Sequence, residues 1–258
     1  MSKVISVVNQ KGGVGKSAVS VNLSACLASK GYKVLMIDMD SQGSGTASLG
    51  YDEPDEMENT LADVFAKYIE DEDIEPDYGI LHTDELFDLM PGNIELAAME
   101  ASLVNVMNRE RILKDYVSME RIFYDFIIID CCPSLGMLTI NALAASDSVI
   151  IPVQPAYLPV KGLQQLFKSI AKVRKQINPD LRIEGVLMSM VDNRTTYAKE
   201  IITMVHEAYD SSMKVFNTQI PFSVKVAEST AEGKSIFKHD PRGKAAIAFA
   251  ELTEEVLA

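Results

Sequence analysis

Continuous apolar runs alternate with stretches whose apolar and small residues recur at helical spacing. Residues 3–9 (KVISVVN), 33–38 (KVLMID), 87–92 (FDLMPG), 124–130 (YDFIIID), 148–153 (SVIIPV), 183–191 (IEGVLMSMV) and 214–221 (KVFNTQIP) read as strands. Runs such as FIIID and SVIIPV are apolar on both faces, which is the pattern of strands covered from two sides. Between the strands, residues 16–32, 93–107, 161–177 and 196–209 read as helices, the first ending at Gly31. Strands alternating with helices predict an α/β fold, a doubly wound, mostly parallel sheet with helices on both faces. At 258 residues and 47% hydrophobic content, one domain over 1–258 is expected.

Charge changes this picture in one place. The net charge is −13, but residues 1–150 hold 10 Lys and Arg against 25 Asp and Glu, whereas residues 151–258 hold 14 against 12. Most of the net negative charge lies at about 52–77, which reads as a solvated surface excursion carrying a short amphipathic helix. The C-terminal part is mildly basic, so binding to a polyanion is not excluded. No apolar stretch is long enough to span a membrane, and the N-terminus runs directly into a strand pattern, so a cytoplasmic protein is expected. Cys26, Cys131 and Cys132 are too few and badly spaced for a disulfide framework or a four-ligand metal site, and read as reduced, buried thiols.

The chemistry concentrates between the first strand and the first helix. KGGVGKS, residues 11–17, fits the phosphate-loop pattern G-x-x-x-x-G-K-[ST] with Lys11 in the place of the first glycine. Gly12, Gly13, Val14 and Gly15 leave backbone N–H groups free to surround phosphate, and Lys16 reaches the outer phosphates. The Ser17 hydroxyl is placed to ligate Mg²⁺, and the Ala18 N–H to meet the α-phosphate of ATP. Asp130 ends a buried strand, where a water-mediated contact to the metal is expected; Asp38 and Asp40 end another. Of these two, Asp40, nearer the loop, is expected to orient the attacking water or hold the metal shell, and Asp38 to be structural.

With DMDSQGS, LMPGNIELAAMEASL, DFIIIDCCPSLG, IIPVQPAYLPVKGLQQL and GVLMSMVDNRT added to KGGVGKS, the chain resembles the ParA/Soj-type partition ATPases nearly end to end. The resemblance implies an ATP-dependent sandwich homodimer in which Lys11 reaches the partner's phosphates, much as an arginine finger does. It also puts Gly12 at the dimer contact and makes Asp40 the hydrolytic aspartate. It further implies nonspecific DNA binding by the ATP dimer, nucleoid association, and hydrolysis stimulated by a ParB-type centromere-binding partner. Arg194 matches a family arginine used for DNA, and Lys225, Lys234, Lys238, Arg242 and Lys244 lie nearby in sequence. A few such side chains per subunit would suffice for sequence-independent phosphate contact.

Three departures bear on this. The family's D-P-Q-G is DSQG here, Ala156 stands at an acidic place, and I-P-R-N is IPFS from Ile220 to Ser223. Pro221 and Ser223 match positions that flank adenine in relatives. Phe222 removes a usual arginine and is expected to be buried core. A MinD-like membrane cycle would need a basic C-terminal helix, whereas FAELTEEVLA is acidic; no membrane partner is expected. An iron–sulfur reductase would need separate cysteine ligands, and a small-molecule kinase would not need Lys11. Because the phosphate loop begins at residue 11, an N-terminal DNA-reading extension is not expected. A nucleotide-gated scaffold positioning a protein cargo, with little DNA binding, remains the alternative.

Overall fold

The computed structural model describes residues 2–258, with the backbone alone described for 157–161. Its strands are β1 (Lys3–Val7), β2 (Val34–Met39), β3 (Leu81–His82), β4 (Asp88–Met90), β5 (Phe126–Cys131), β6 (Ser148–Val153), β7 (Arg182–Val191) and β8 (Val215–Pro221). They form one sheet in the order β3-β4-β2-β5-β1-β6-β7-β8, with every pairing among the described residues parallel except β3 with β4.

The helices are α1 (Lys16–Ser29), α2 (Ser44–Ala47), α3 (Leu61–Ile69), α4 (Glu95–Ser102), α5 (Ile112–Glu120), α6 (Met137–Ala145), α7 (Tyr157–Gln176), α8 (Thr196–Tyr209), α9 (Val224–Ala231), α10 (Ile236–His239) and α11 (Lys244–Leu257). The alternation of Cβ atoms along each strand divides its apolar residues between two cores. Leu35, Ile37, Ile127 and Ile129 enter the core that α3 and α5–α8 cover. Val34, Met36, Phe126 and Ile128 enter the one under α1 and α11. Both faces are therefore dry, which is why these strands lack a polar stripe.

Several elements differ from the sequence expectation. The first strand stops at Val7 because Asn9 turns the chain: its Nδ2 donates to Pro152 O at 2.7 Å and its Oδ1 accepts the Lys11 N–H at 3.0 Å. The helix expected over 93–107 stops at Ser102 and passes through a 3₁₀ turn, Leu103–Asn105, where valine and asparagine are poor helix formers. The acidic stretch is exposed in its loops, yet Thr60 and Asp63 close a capping box that starts α3, and Phe65 is fully buried. Its helix belongs to the core.

β8 lies at the sheet edge, and α11 covers it. Glu255 accepts the Thr218 N–H at 2.7 Å and the Asn217 N–H at 3.1 Å, occupying donors that would otherwise face solvent. The three cysteines are free and buried. Among the described residues, no helix is long and apolar enough to cross a membrane.

Candidate active site

The order of the sheet changes direction around β5 and β1, and a crevice opens beyond the C-terminal tips of its strands. The segment leaving β1 passes Gly13 at φ 70° and Gly15 at φ 84°, left-handed values that any side chain would strain. α1 starts directly after Gly15 with no side-chain cap, so its first N–H groups depend on a partner from outside the helix. They border a cleft of about 650 Å³ together with Gly12, Gly13, Lys16, Ser17 and Asp40. Lys16 is 6% exposed, and its Nζ donates to Lys11 O at 3.3 Å, which keeps a buried positive charge within the loop. A buried ammonium in that setting favours an anion beside it.

Lys11 is half-buried and does not line the cleft. Val14 is buried behind it, its carbonyl accepting Ser189 Oγ at 2.7 Å. Ala18 borders both the cleft and a second, apolar slot of about 240 Å³ between the tips of β7 and β8. Pro221, Phe222, Ser223 and Met190 line that slot. Phe222 was expected in the core; it is 58% exposed at the lip, because β8 ends at Pro221 and the chain turns outward into α9.

Behind the cleft, Asp130 pairs in register with Val7 and Asp38. Asp130 Oδ1 accepts Ser20 Oγ at 3.1 Å, while its Oδ2 is buried with no partner. Burial raises the Asp130 pKa, and the nearby Asp38 carboxylate raises it further; Ser17, Lys16 and Ser20 act in the opposite direction. Burial also raises Asp38, against hydrogen bonds from the Thr46 hydroxyl (2.8 Å), the Thr46 N–H (2.7 Å) and the Asp40 N–H (3.1 Å). The strand ends at Met39, so Asp40 is not its next alternate residue. Asp40 begins a turn, its Oδ1 accepting the Gln42 N–H at 3.0 Å, and it borders the cleft while Asp38 holds α2.

A divalent cation fits this arrangement, since a buried carboxylate oxygen without a partner and a neighbouring hydroxyl are oxygen ligands of the kind Mg²⁺ takes, directly or through water. The basic residues are placed differently. Arg194, after β7, is exposed and bound to Asp192 by two contacts of 2.8 Å, which lowers Asp192 to about 2 and raises the arginine. Lys225 pairs with Glu228 at 2.7 Å and Lys234 with Glu232 at 3.4 Å. Lys238 pairs with Glu85, and Arg242 and Lys244 are exposed.

Sequence reasoning missed Met190, Ser189 and Thr230 as cavity residues. Ser189 and Met190 belong to β7 and Thr230 to α9, and only the tertiary fold brings them to the crevice. Gln154 lay inside a motif noted for its alanine, and it is the amide that meets the phosphate loop, at Gly13 O, 2.7 Å away.

A parallel sheet with a glycine cradle at a helix start and strand-tip aspartates behind it defines a P-loop nucleotide-binding protein. The profile of a family described as AAA domain matches residues 2–183. The chain is 44% identical over 258 residues to the sporulation initiation inhibitor protein Soj of Bacillus subtilis, covering 100% of this chain and 99% of that one. It is 37% identical to the chromosome partitioning protein ParA of Myxococcus xanthus, covering 100% and 88%. The structure of cobyrinic acid a,c-diamide synthase from Mycobacterium smegmatis with bound ATP analogue and magnesium is similar at TM-score 0.88 and 35% identity, covering 100% of this chain and 94% of that one. The chain belongs to the ParA/Soj family of partition ATPases.

Proposed function

We propose that this protein is an Mg²⁺-dependent ATP hydrolase whose ATP-bound homodimer holds nonspecific DNA and is released when a ParB-type partner stimulates hydrolysis. The observation that carries the reading is the joint placement of Lys16, Ser17 and Asp40 on one glycine-lined cleft, with the unpartnered Asp130 oxygen behind it. In this reading Lys16 and the N–H groups from Gly12 to Ala18 bind the phosphates, and Pro221 and Ser223 flank the base. Ser17, Asp130 and Asp40 would hold the metal. Bound there, Mg²⁺ would neutralise charge on the β- and γ-phosphates during transfer. Asp40 orients the attacking water, and Lys11 acts on the phosphates of the partner subunit.

The full-length likeness to Soj and ParA supports the partition role above that of the diamide synthase, to which identity is lower. The apolar face of α11 is occupied by the core through Phe249, Leu252 and Val256, which disfavours a membrane-lying helix there. Arg194, Lys225, Lys234 and Arg242 are the DNA contacts of this reading, in a cytoplasmic, nucleoid-associated protein. One observation favours the second reading, a scaffold that positions a protein cargo. Phe222 and Val224 are 58% and 62% exposed, and the Phe222 N–H bonds Val191 O just before the Arg194 loop, so an apolar patch adjoins the proposed DNA face.

Sedimentation with ATP and Mg²⁺ tests the dimer. Wild type and Asp40→Ala are expected to dimerise, with Asp40→Ala failing to hydrolyse, while Lys11→Ala binds ATP as a monomer. Full dimerisation of Lys11→Ala would remove the role in the partner's site.

A further inference from the structure

The tip of β7 is fastened to the phosphate loop at two successive carbonyls. Ser189 Oγ donates to Val14 O at 2.7 Å. Gln154 Nε2 donates to Gly13 O at 2.7 Å and to Met190 Sδ at 3.0 Å. Both partners of the amide are acceptors, so only its nitrogen, with two protons, can face them together.

Met190 is itself unusual. It stands at φ 53°, a left-handed conformation inside a strand, and the register between β7 and β8 shifts between Met188 and Val191. A non-glycine residue persists there only where its surroundings hold it, and such positions cluster at ligand clamps. The Met190 side chain lines the apolar slot, and its Cγ lies 3.9 Å from the point where a Cβ on Gly15 would stand. One side chain therefore touches the slot, the glycine before α1, and the amide that holds Gly13.

We propose that Gln154 and Met190 are positioning residues that couple the base slot to the phosphate cradle. A base filling the slot fixes the Met190 thioether, the thioether fixes the Gln154 amide, and the amide fixes the Gly13 carbonyl at the mouth of the cradle. The slot itself offers a base few directional partners, because its lining is mostly apolar and Ser189 is already bonded to Val14. Recognition of the base is thus expressed as tighter phosphate binding. This rests on the placement of base and phosphates proposed above.

The test is calorimetric titration of wild type, Gln154→Leu, Met190→Leu and the double variant with ATP, adenosine and inorganic tripolyphosphate, each with Mg²⁺. Met190→Leu keeps the volume and loses the acceptor, and circular dichroism checks that each variant is folded. Each single variant is expected to weaken ATP about tenfold, the size of one lost hydrogen bond. Tripolyphosphate and adenosine alone should each change by less than about twofold, and the double variant should be no weaker than either single one, because both changes cut the same link. Equal weakening of ATP and tripolyphosphate would mean that Gln154 only braces the loop, and additive effects in the double variant would mean two independent contacts; either overturns the coupling. Failure of wild type to bind ATP, with tripolyphosphate still bound, would instead overturn the placement of the base, and the coupling with it.

Discussion

The two ends of the crevice, which we propose take the phosphates and the base, are made of different materials. The phosphate end is backbone and charge: Gly13 and Gly15 at left-handed angles, a buried Lys16, and Asp130 held close to Asp38. The base end is side-chain hydrocarbon and one thioether, from Met190, Pro221, Phe222 and Phe249. Charge and a strained backbone tolerate no substitution without loss of function, because each group is matched to one charge or one angle. An apolar slot tolerates many, because its contacts are undirected. The departures from the family pattern noted in the sequence fall at both ends: Phe222 borders the apolar slot, the serine of DSQG follows Asp40 beside the cleft, and KGGVGKS itself fits the phosphate-loop pattern with Lys11 in the place of the first glycine.

The contrast can be broken most severely at Lys16. Lys16→Ala should weaken ATP and tripolyphosphate together by about 3 kcal/mol, the upper range for a hydrogen bond to a charged group, as read by calorimetry.

Asp130 gives the next largest effect, through pH. Its folded pKa is raised to about 8, above the ordinary carboxylate value, so at neutral pH the ligand-free fold retains a proton that the unfolded chain has lost. Stability of the ligand-free protein should fall as pH rises from the ordinary aspartate range toward about 8. Mg²⁺ affinity should rise over the upper part of that window, as the ion displaces the proton. Asp130→Asn should flatten both profiles in thermal melts and metal titrations; unchanged slopes would show that Asp38 carries the proton.

Phe222→Ala acts at the base end and should weaken ATP by about 1 kcal/mol while leaving tripolyphosphate unchanged, since this ring is only partly covered. The smallest effect expected is at the sheet edge. Hydrogen bonds from Thr218 and Asn217 outweigh partial burial and hold Glu255 below its usual range. Its contribution is therefore present at neutral pH and lost as pH falls through the folded value, below the ordinary glutamate range. Glu255→Gln should cost on the order of 0.5 kcal/mol in denaturant melts at pH 7, reduced by solvent screening, and progressively less as pH falls through the folded value.

The same contrast governs what could be read from the sequence. The phosphate end was legible because its residues are consecutive, so spacing alone carries the geometry. The long strands were legible because burial on both faces leaves continuous apolar runs. α6 and α11 were not read as helices, since MLTINALAA is apolar all round and the Ala-rich start of α11 has no clear polar face. β3 has two residues, too few to carry a period. Beyond Pro221 and Ser223, the apolar slot was hidden for a different reason: Gly15, Met190 and Phe249 come from separate segments, and Met190 reveals itself only by a backbone angle.

Binding of purified Asp40→Ala protein to a nonspecific DNA duplex, without nucleotide, with ADP and with ATP at two salt concentrations, tests the central claim most directly. The account expects binding with ATP alone, falling steeply as salt rises because phosphate neutralisation releases counterions. Dimerisation with ATP but no DNA binding in any state would contradict it, and would give the exposed Phe222 and Val224 patch to a protein partner.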